Sequence, residues 1–372
     1  MELVKFELYK LCKQKMNWVG LLLLFIFLGL SIYLNTNGEA AKDYALYKGY
    51  EGKINPQLVT KKQQELTEML NENTDGISKN DLQKIHVLSD FTQAGNMLAN
   101  YHEEKSNLEK QMKTLSKSSY EYREAKYNLE NLIKMGEPQF YYMKAWENVT
   151  SYTDFIGTLI ISVMILIGIS SIFSKEYSTG MYQFILSSKN GRKKIVTAKL
   201  VVSFLYVIIL TSLFFLACIV MNLLFYGDYG YNHAIRNLSG FNGTLLTLKV
   251  WQYILIEYFI YLFGALAFST LVMFISSKSK SSLSGIIWGA AILGLPNILI
   301  QVTYGQFHWL MNALNFSYSA LMSVITLFYT GNLYNVFGHP VPLVYLSVPL
   351  FAVLSILFIY GTFHTIRKKQ FI

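Results

Sequence analysis

Of 372 residues, 52% are hydrophobic, 15% aromatic and only 15% charged, against roughly 25% charged in soluble globular proteins, so the composition excludes an ordinary soluble enzyme and describes a membrane protein. Two cysteines, Cys12 and Cys218, far apart in the chain, give neither a disulfide framework nor a paired-thiol metal site. The net charge of +9 is concentrated on one set of membrane flanks, which positive-inside bias and anionic headgroups explain without nucleic acid.

The chain opens on an amphipathic stretch, Val4–Leu11. Apolar runs of about 20 residues or more, the length that crosses a bilayer core, then occur at Met16–Leu34, Tyr152–Phe173 (with Asp154 near one end), Ile195–Phe225 (with Lys199 near one end), Val250–Ile275 (with Glu257 inside it), Ser282–Thr303 and Val341–Phe363. These predict six spans. The first is read as an uncleaved anchor, because Ser31-Ile32-Tyr33-Leu34-Asn35 lacks a small-x-small cleavage pattern.

Between spans one and two lie 117 residues, 35–151, with 15 Lys/Arg and 17 Asp/Glu, too many for a connection and therefore a domain. The organisation is thus 1–34 (amphipathic segment and first span), 35–151 (insert) and 152–372 (spans two to six). In the insert Tyr101, Leu108, Leu115, Tyr122 and Leu129 recur every seventh residue, which predicts long helices. Asn71–Asn80 reads as a turn and Gly136-Glu137-Pro138 as a helix stop. Such an insert serves either as a helical stalk or as a cap over a translocation path or docking surface.

After span two, Met181, Phe184, Ile185 and Leu186 form an apolar stripe on a short helix that begins near Gly180 and ends at Ser187-Ser188-Lys189-Asn190-Gly191. Such a helix lies on the membrane or docks into a protein groove. In span four Glu257 sits at a depth where a charge costs on the order of 2.5 kcal/mol or more unless it is partnered, hydrated or protonated. It is a translocation-path candidate, alongside Pro296 and Asn297 of span five, where proline predicts a kink or an end to the helix. Phe316–Tyr329 is apolar but short, and reads as a re-entrant or interfacial segment.

Fifteen Lys/Arg flank one side of the spans, among them Lys10, Lys175, Arg192, Lys199 and Lys369, against Arg236 and Lys249 on the other. This places both termini in the cytoplasm and the insert outside. No phosphate-binding Gly-x-x-x-x-Gly-Lys-Ser/Thr loop, His-Glu-x-x-His, Gly-x-Ser-x-Gly or Cys-x-x-Cys occurs, and the six histidines are scattered singly. The chain carries no catalytic or metal constellation.

Glu176, Gly180, the Leu186-Ser187-Ser188 turn, Arg192 and Lys199 resemble the pattern between the second and third spans of type-two, export-type ABC transporter permeases. Val4–Leu11 resembles that family's connecting helix, and the six-span plan with a large loop after span one is similar too. Lys189 or Asn190 stands where the family often has proline, and Met181 where it often has threonine. The resemblance implies an all-α polytopic fold with a mainly helical extracytoplasmic insert, in the cell membrane. It implies a non-enzymatic permease whose ATP and Mg sit on a separately encoded ATPase, a second permease copy or homologous permease as partner, and amphipathic or hydrophobic cargo such as an antimicrobial peptide, a drug or a lipid. Lys175, Glu176, Thr179, Gly180, Tyr182, Phe184, Leu186, Arg192 and Lys199 would then form the ATPase-coupling element. The other reading is a receptor-like or structural membrane protein that uses the insert; an intramembrane enzyme is disfavoured.

Overall fold

The amphipathic segment and the first apolar run meet at Lys13-Gln14, and the computed structural model, which describes residues 2–36, 40–72, 78–187, 191–303 and 306–368, turns the chain there. Helix α1 (Glu2–Cys12) ends and α2 (Lys15–Thr36), span one, begins. The corner is closed by side chains: Asn17 donates to the Leu11 carbonyl (3.0 Å) and the Trp18 indole to that of Cys12 (2.7 Å), satisfying carbonyls that a helix end leaves open.

The segment between spans one and two is helical: α3 (Ala40–Tyr47), α4 (Pro56–Glu72), α5 (Lys79–Thr114), α6 (Tyr120–Met135) and α7 (Lys144–Ser151). A small antiparallel pair, β1 (Gly52–Lys53) and β2 (Gln139–Phe140), fastens its two ends together. The heptad run, which predicts long helices, is shared by two of them, α5 of 36 residues and α6 of 16. Leu115 ends α5, and Ser119 starts α6 by accepting from the Tyr122 amide (3.1 Å). The seven-residue spacing is therefore divided between two packed helices, with Tyr101 and Leu108 of α5 against Ala125 and Leu132 of α6. Gly136, at φ 73°, stops α6 as the sequence predicts. Residues 73–77 of the expected Asn71–Asn80 turn lie outside the described residues.

Gly95 of α5 lets α4 come close, since a Cβ there would lie 2.3 Å from a Val59 methyl. Overpacking of this kind costs about 1–3 kcal/mol, more than the roughly 0.5–1 kcal/mol that alanine gains in a helix. Gly95→Ala is expected to speed hydrogen exchange in α4; unchanged exchange would show that the contact is soft.

Among the described residues, six helices are long and apolar enough to cross a membrane, and 82% of these residues are helical. Span two is the end of one uninterrupted run that starts at α7, passes through a π-helical turn (Tyr152–Gly157) and continues as α8 (Thr158–Ser178). The helix thus crosses the expected domain boundary at 151/152. After α9 (Met181–Ser187) come α10 (Gly191–Tyr226), α11 (Val250–Lys278) and α12 (Ser282–Thr303), spans three to five. Span four is the central helix: 61% of its apolar window is buried, with Tyr261, Ala265, Phe268 and Val272 fully enclosed. By contrast, only 11% of span five is covered. Pro296 does not end span five, as the sequence allowed; α12 runs on to Thr303, a continuation that membrane helices tolerate.

Residues 306–342 hold α13 (His308–Leu314), α14 (Tyr318–Met322), two short 3₁₀ turns and a hairpin of β3 (Leu333–Val336) and β4 (His339–Pro342), before α15 (Leu343–Lys368) forms span six. None of these short pieces has the length to cross a bilayer. The Tyr318 ring lies 4.6 Å from that of Phe351 in span six and 5.6 Å from that of Phe268 in span four. Helix α6 packs on β4, so the α5–α6 hairpin reaches across the end of the bundle from span two to span six.

Candidate functional site

At the end of the bundle that carries α1, four charged side chains meet, Glu7 and Lys199 buried and Lys10 and Glu176 partly exposed. Glu7 and Lys10, three apart on α1, share a face; Glu176 comes from the last turn of α8 and Lys199 from α10. Lys10 bonds Glu7 at 2.8 Å and Glu176 at 3.1 Å, while Lys199 bonds Glu176 at 2.8 Å and lies 3.5 Å from Glu7. Lys199 is 1% exposed and Glu7 4%. The lysine also donates to the Ile172 carbonyl and sits 5.0 Å above the Phe173 ring.

Two anions and two cations cancel, which is the condition under which buried charges are tolerated; removal of one partner typically costs about 3–5 kcal/mol. Burial works against the charge on Lys10, but its bond to Glu7 and the neighbouring Glu176 carboxylate more than offset this and hold its pKa above the ordinary value. Lys10 therefore keeps its positive charge near neutrality. The tetrad joins α1, the end of span two and the start of span three in one rigid corner.

The α9 helix hangs from this corner. Gly180 takes φ 71° between α8 and α9, a left-handed geometry that glycine adopts without steric cost, and the Thr179 hydroxyl caps the Lys175 carbonyl (2.9 Å). The Tyr177 and Tyr182 rings lie 4.9 Å apart across the turn. Met181 is 51% exposed and Phe184 79%, so these two residues of the apolar stripe face outward. A cleft of about 420 Å³ runs between α1 and this turn, with Phe6, Lys10, Lys175, Thr179 and Met181 in its walls.

Of the sequence candidates, the structure brings Glu176 and Lys199 into contact and sets Lys175, Thr179, Gly180, Tyr182 and Phe184 around them. The Leu186 and Arg192 side chains and residues 188–190 lie outside the described residues. Glu7 and Lys10, which sequence reasoning gave no role in this site, complete it; their signal is an opposite-charge pair at i, i+3 on a helix at the membrane edge. Lys10 and Lys199, counted in the sequence among the flanking charges, are thus paired with carboxylates of the protein itself.

Spans two, four and five are laced together next to this corner. The Ser276 hydroxyl donates to the Ser170 carbonyl (2.7 Å) and accepts from the Phe173 amide (3.2 Å), and Ser174 meets Ser282 at 2.9 Å. Span five approaches span two through small residues, since a Cβ on Gly289 would lie 2.3 Å from a Leu166 methyl and one on Gly285 would lie 3.1 Å from the Ser170 Cβ.

Toward the other end of span two, Glu257 is 2% exposed. It accepts from the Thr153 hydroxyl in the π-helical turn, and its other carboxylate oxygen has no hydrogen-bond partner. Its neighbour in the turn, Asp154, accepts from Ser323 at 2.5 Å. Thus one turn of span two is tied both to span four and to the segment before span six. Pro296 and Asn297 lie on the sparsely covered span five and share no described hydrogen bond with Glu257.

No group of three or more His, Cys, Asp or Glu among the described residues has the spacing of a metal site. The arrangement ties α1 and spans two to five to one another. The family profile described as ABC-2 family transporter protein matches residues 1–337. No curated protein and no solved structure matches the chain.

Proposed function

Because the chain belongs to the ABC-2 family of transporter proteins, we propose that it is the permease subunit of an ATP-driven exporter, working with a separately encoded ATPase and a second permease copy or homologue. Both termini and α9 face the cytoplasm, the insert lies outside, and the membrane is the cell membrane. The observation that carries this reading is the buried Glu7–Lys10–Glu176–Lys199 corner with an outward-facing apolar helix attached to it. Closure of the ATPase on ATP displaces α9, Gly180 gives the turn its shape, and the corner passes the displacement to α1 and to spans two and three together. Such transmission works only if the ATP-bound and free states contact α9 differently.

Span two then acts as a rod. Its inner end holds the corner, its middle packs on the glycines of span five, and its outer end carries the Thr153–Glu257 and Asp154–Ser323 pairs, which act as the outer gate. The cargo is amphipathic or hydrophobic. Glu257→Gln keeps an oxygen for Thr153 and is expected to leave folded yield unchanged while lowering export about tenfold or more, a loss of about 1.4 kcal/mol of transition-state stabilisation. Full transport at full yield would remove Glu257 from the gate.

The reading as a whole is tested by affinity purification of the chain expressed with its genomic neighbours. A nucleotide-hydrolysing subunit is expected to co-purify. If the wild-type chain emerges alone from a membrane in which an adjacent ATPase is expressed, the exporter reading fails.

A further inference from the structure

Spans one and two touch at Gly20, where a Cβ would lie 2.3 Å from the Met164 sulfur, and beside that contact the two helices part into a groove of about 500 Å³. None of its lining residues carries a side-chain nitrogen or oxygen. Its walls, Val19, Leu23 and Phe27 of span one and Phe155, Leu159 and Val163 of span two, are exposed. From Met16 to Phe27 the groove follows span one for about 16 Å, close to half of the roughly 30 Å hydrocarbon core of a bilayer. It therefore has the depth of one leaflet, the one on the side of α1. A hydrocarbon-lined gap left empty forfeits its contacts on the open side, and in a bilayer the chain at hand to fill it is a lipid tail.

The groove leads into a charged mouth. Met16 and Ile167 are its last residues toward α1, and just beyond them Gln14 and Gly168 line the cleft that lies beside the corner. Six charged residues line that cleft. Glu7, Lys10, Glu176 and Lys199 pair with one another and cancel, which leaves Lys13 and Lys175. Both are exposed and form no ion pair among the described residues; the Lys13 ammonium lies 5.5 Å from the centre of the Tyr9 ring. The mouth thus carries two uncompensated positive charges at the membrane edge, where cations attract anionic headgroups. A second copy of the chain fits less well, because a two-fold contact sets a patch against itself and here would bring lysines toward lysines.

We propose that the groove and its mouth bind an anionic phospholipid, with one acyl chain between spans one and two and the headgroup phosphate against Lys13 and Lys175. Binding of this kind needs only the permease, so its test is separate from that of the ATPase reading.

The test is native mass spectrometry of the full chain in a non-ionic detergent, with dioleoyl phosphatidylglycerol or dioleoyl phosphatidylcholine added. The two lipids share their acyl chains and differ in net charge. Phosphatidylglycerol is expected to bind at least about tenfold more tightly than phosphatidylcholine, and Lys13→Gln to weaken it about fivefold, whereas Lys13→Arg keeps the preference. Val19→Trp, which fills the groove from an exposed position, should weaken both lipids by about tenfold or more. Excess inorganic phosphate should not displace the lipid; displacement would mean a site for free phosphate in which the groove has no part. Equal binding of the two lipids, an unchanged preference in Lys13→Gln or full retention in Val19→Trp overturns the proposal. So does a wild-type dimer that Val19→Trp splits into monomers, which would give the groove to a second copy.

Discussion

Lys199→Met should fold poorly and support no export. The substitution leaves buried Glu7 and partly buried Glu176 with Lys10 as their shared cation, and a buried pair broken in this way typically costs about 3–5 kcal/mol, a large part of the 5–15 kcal/mol by which a typical protein is stable. The informative companion is Lys199→Met/Glu176→Gln, which removes one charge of each sign. It should recover most of the melting temperature, since Glu7 and Lys10 still pair at 2.8 Å. It should not recover export, because span three is no longer tied to the α1 corner by charge. A single variant that melts like the wild type would mean that the four charges are not a unit.

Phe184→Asp should have the opposite profile: a well-folded chain that no longer holds its ATPase. Phe184 is 79% exposed on α9, so its replacement leaves no cavity in the permease and the melting temperature should not move. At a partner surface an aromatic anchor of this kind is typically worth about 2 kcal/mol or more, roughly 30-fold in dissociation constant, and a buried carboxylate adds a desolvation cost. The measurement is the affinity of the purified ATPase for each permease in nanodiscs. Retained affinity in Phe184→Asp would move the docking surface away from α9. The contrast between the two variants separates residues that pass motion on from those that receive it.

Much of this architecture is legible in the amino-acid order. The spans are long, strongly apolar runs that water solvates poorly, so hydropathy alone locates them, and α9 is marked by Gly180 and the spacing of Met181 and Phe184. Where sequence falls short, the missing information is tertiary. Glu7 and Lys10 read as a solvated face of an amphipathic helix, because the partner that encloses Lys10, Glu176, lies 166 residues away. Lys199 reads as one more flanking positive charge although it is 1% exposed. The heptad at Tyr101–Leu129 announces helices but not where one gives way to the next: a seven-residue spacing survives a helix reversal, and the capping hydroxyl of Ser119, not the apolar period, marks where the second begins. Pro296 marks a weak point in span five but not its end, since a membrane helix has no competing water to unwind into. Glu257 is recognisable as an anomaly from depth alone, whereas its contact with Thr153 depends on the π-helical turn, which no periodicity announces.

The central claim is that the α1–α9 corner couples nucleotide hydrolysis to this permease. It is tested most directly by ATP hydrolysis in the complex of permease and partner ATPase, reconstituted in nanodiscs with wild-type chain or with Glu176→Ala. Glu176 accepts from both Lys10 and Lys199, so its loss disconnects span two from α1 and span three at one stroke. The account predicts hydrolysis stimulated by the wild-type permease and reduced to the level of the isolated ATPase by Glu176→Ala. Equal stimulation by the two permeases would contradict it.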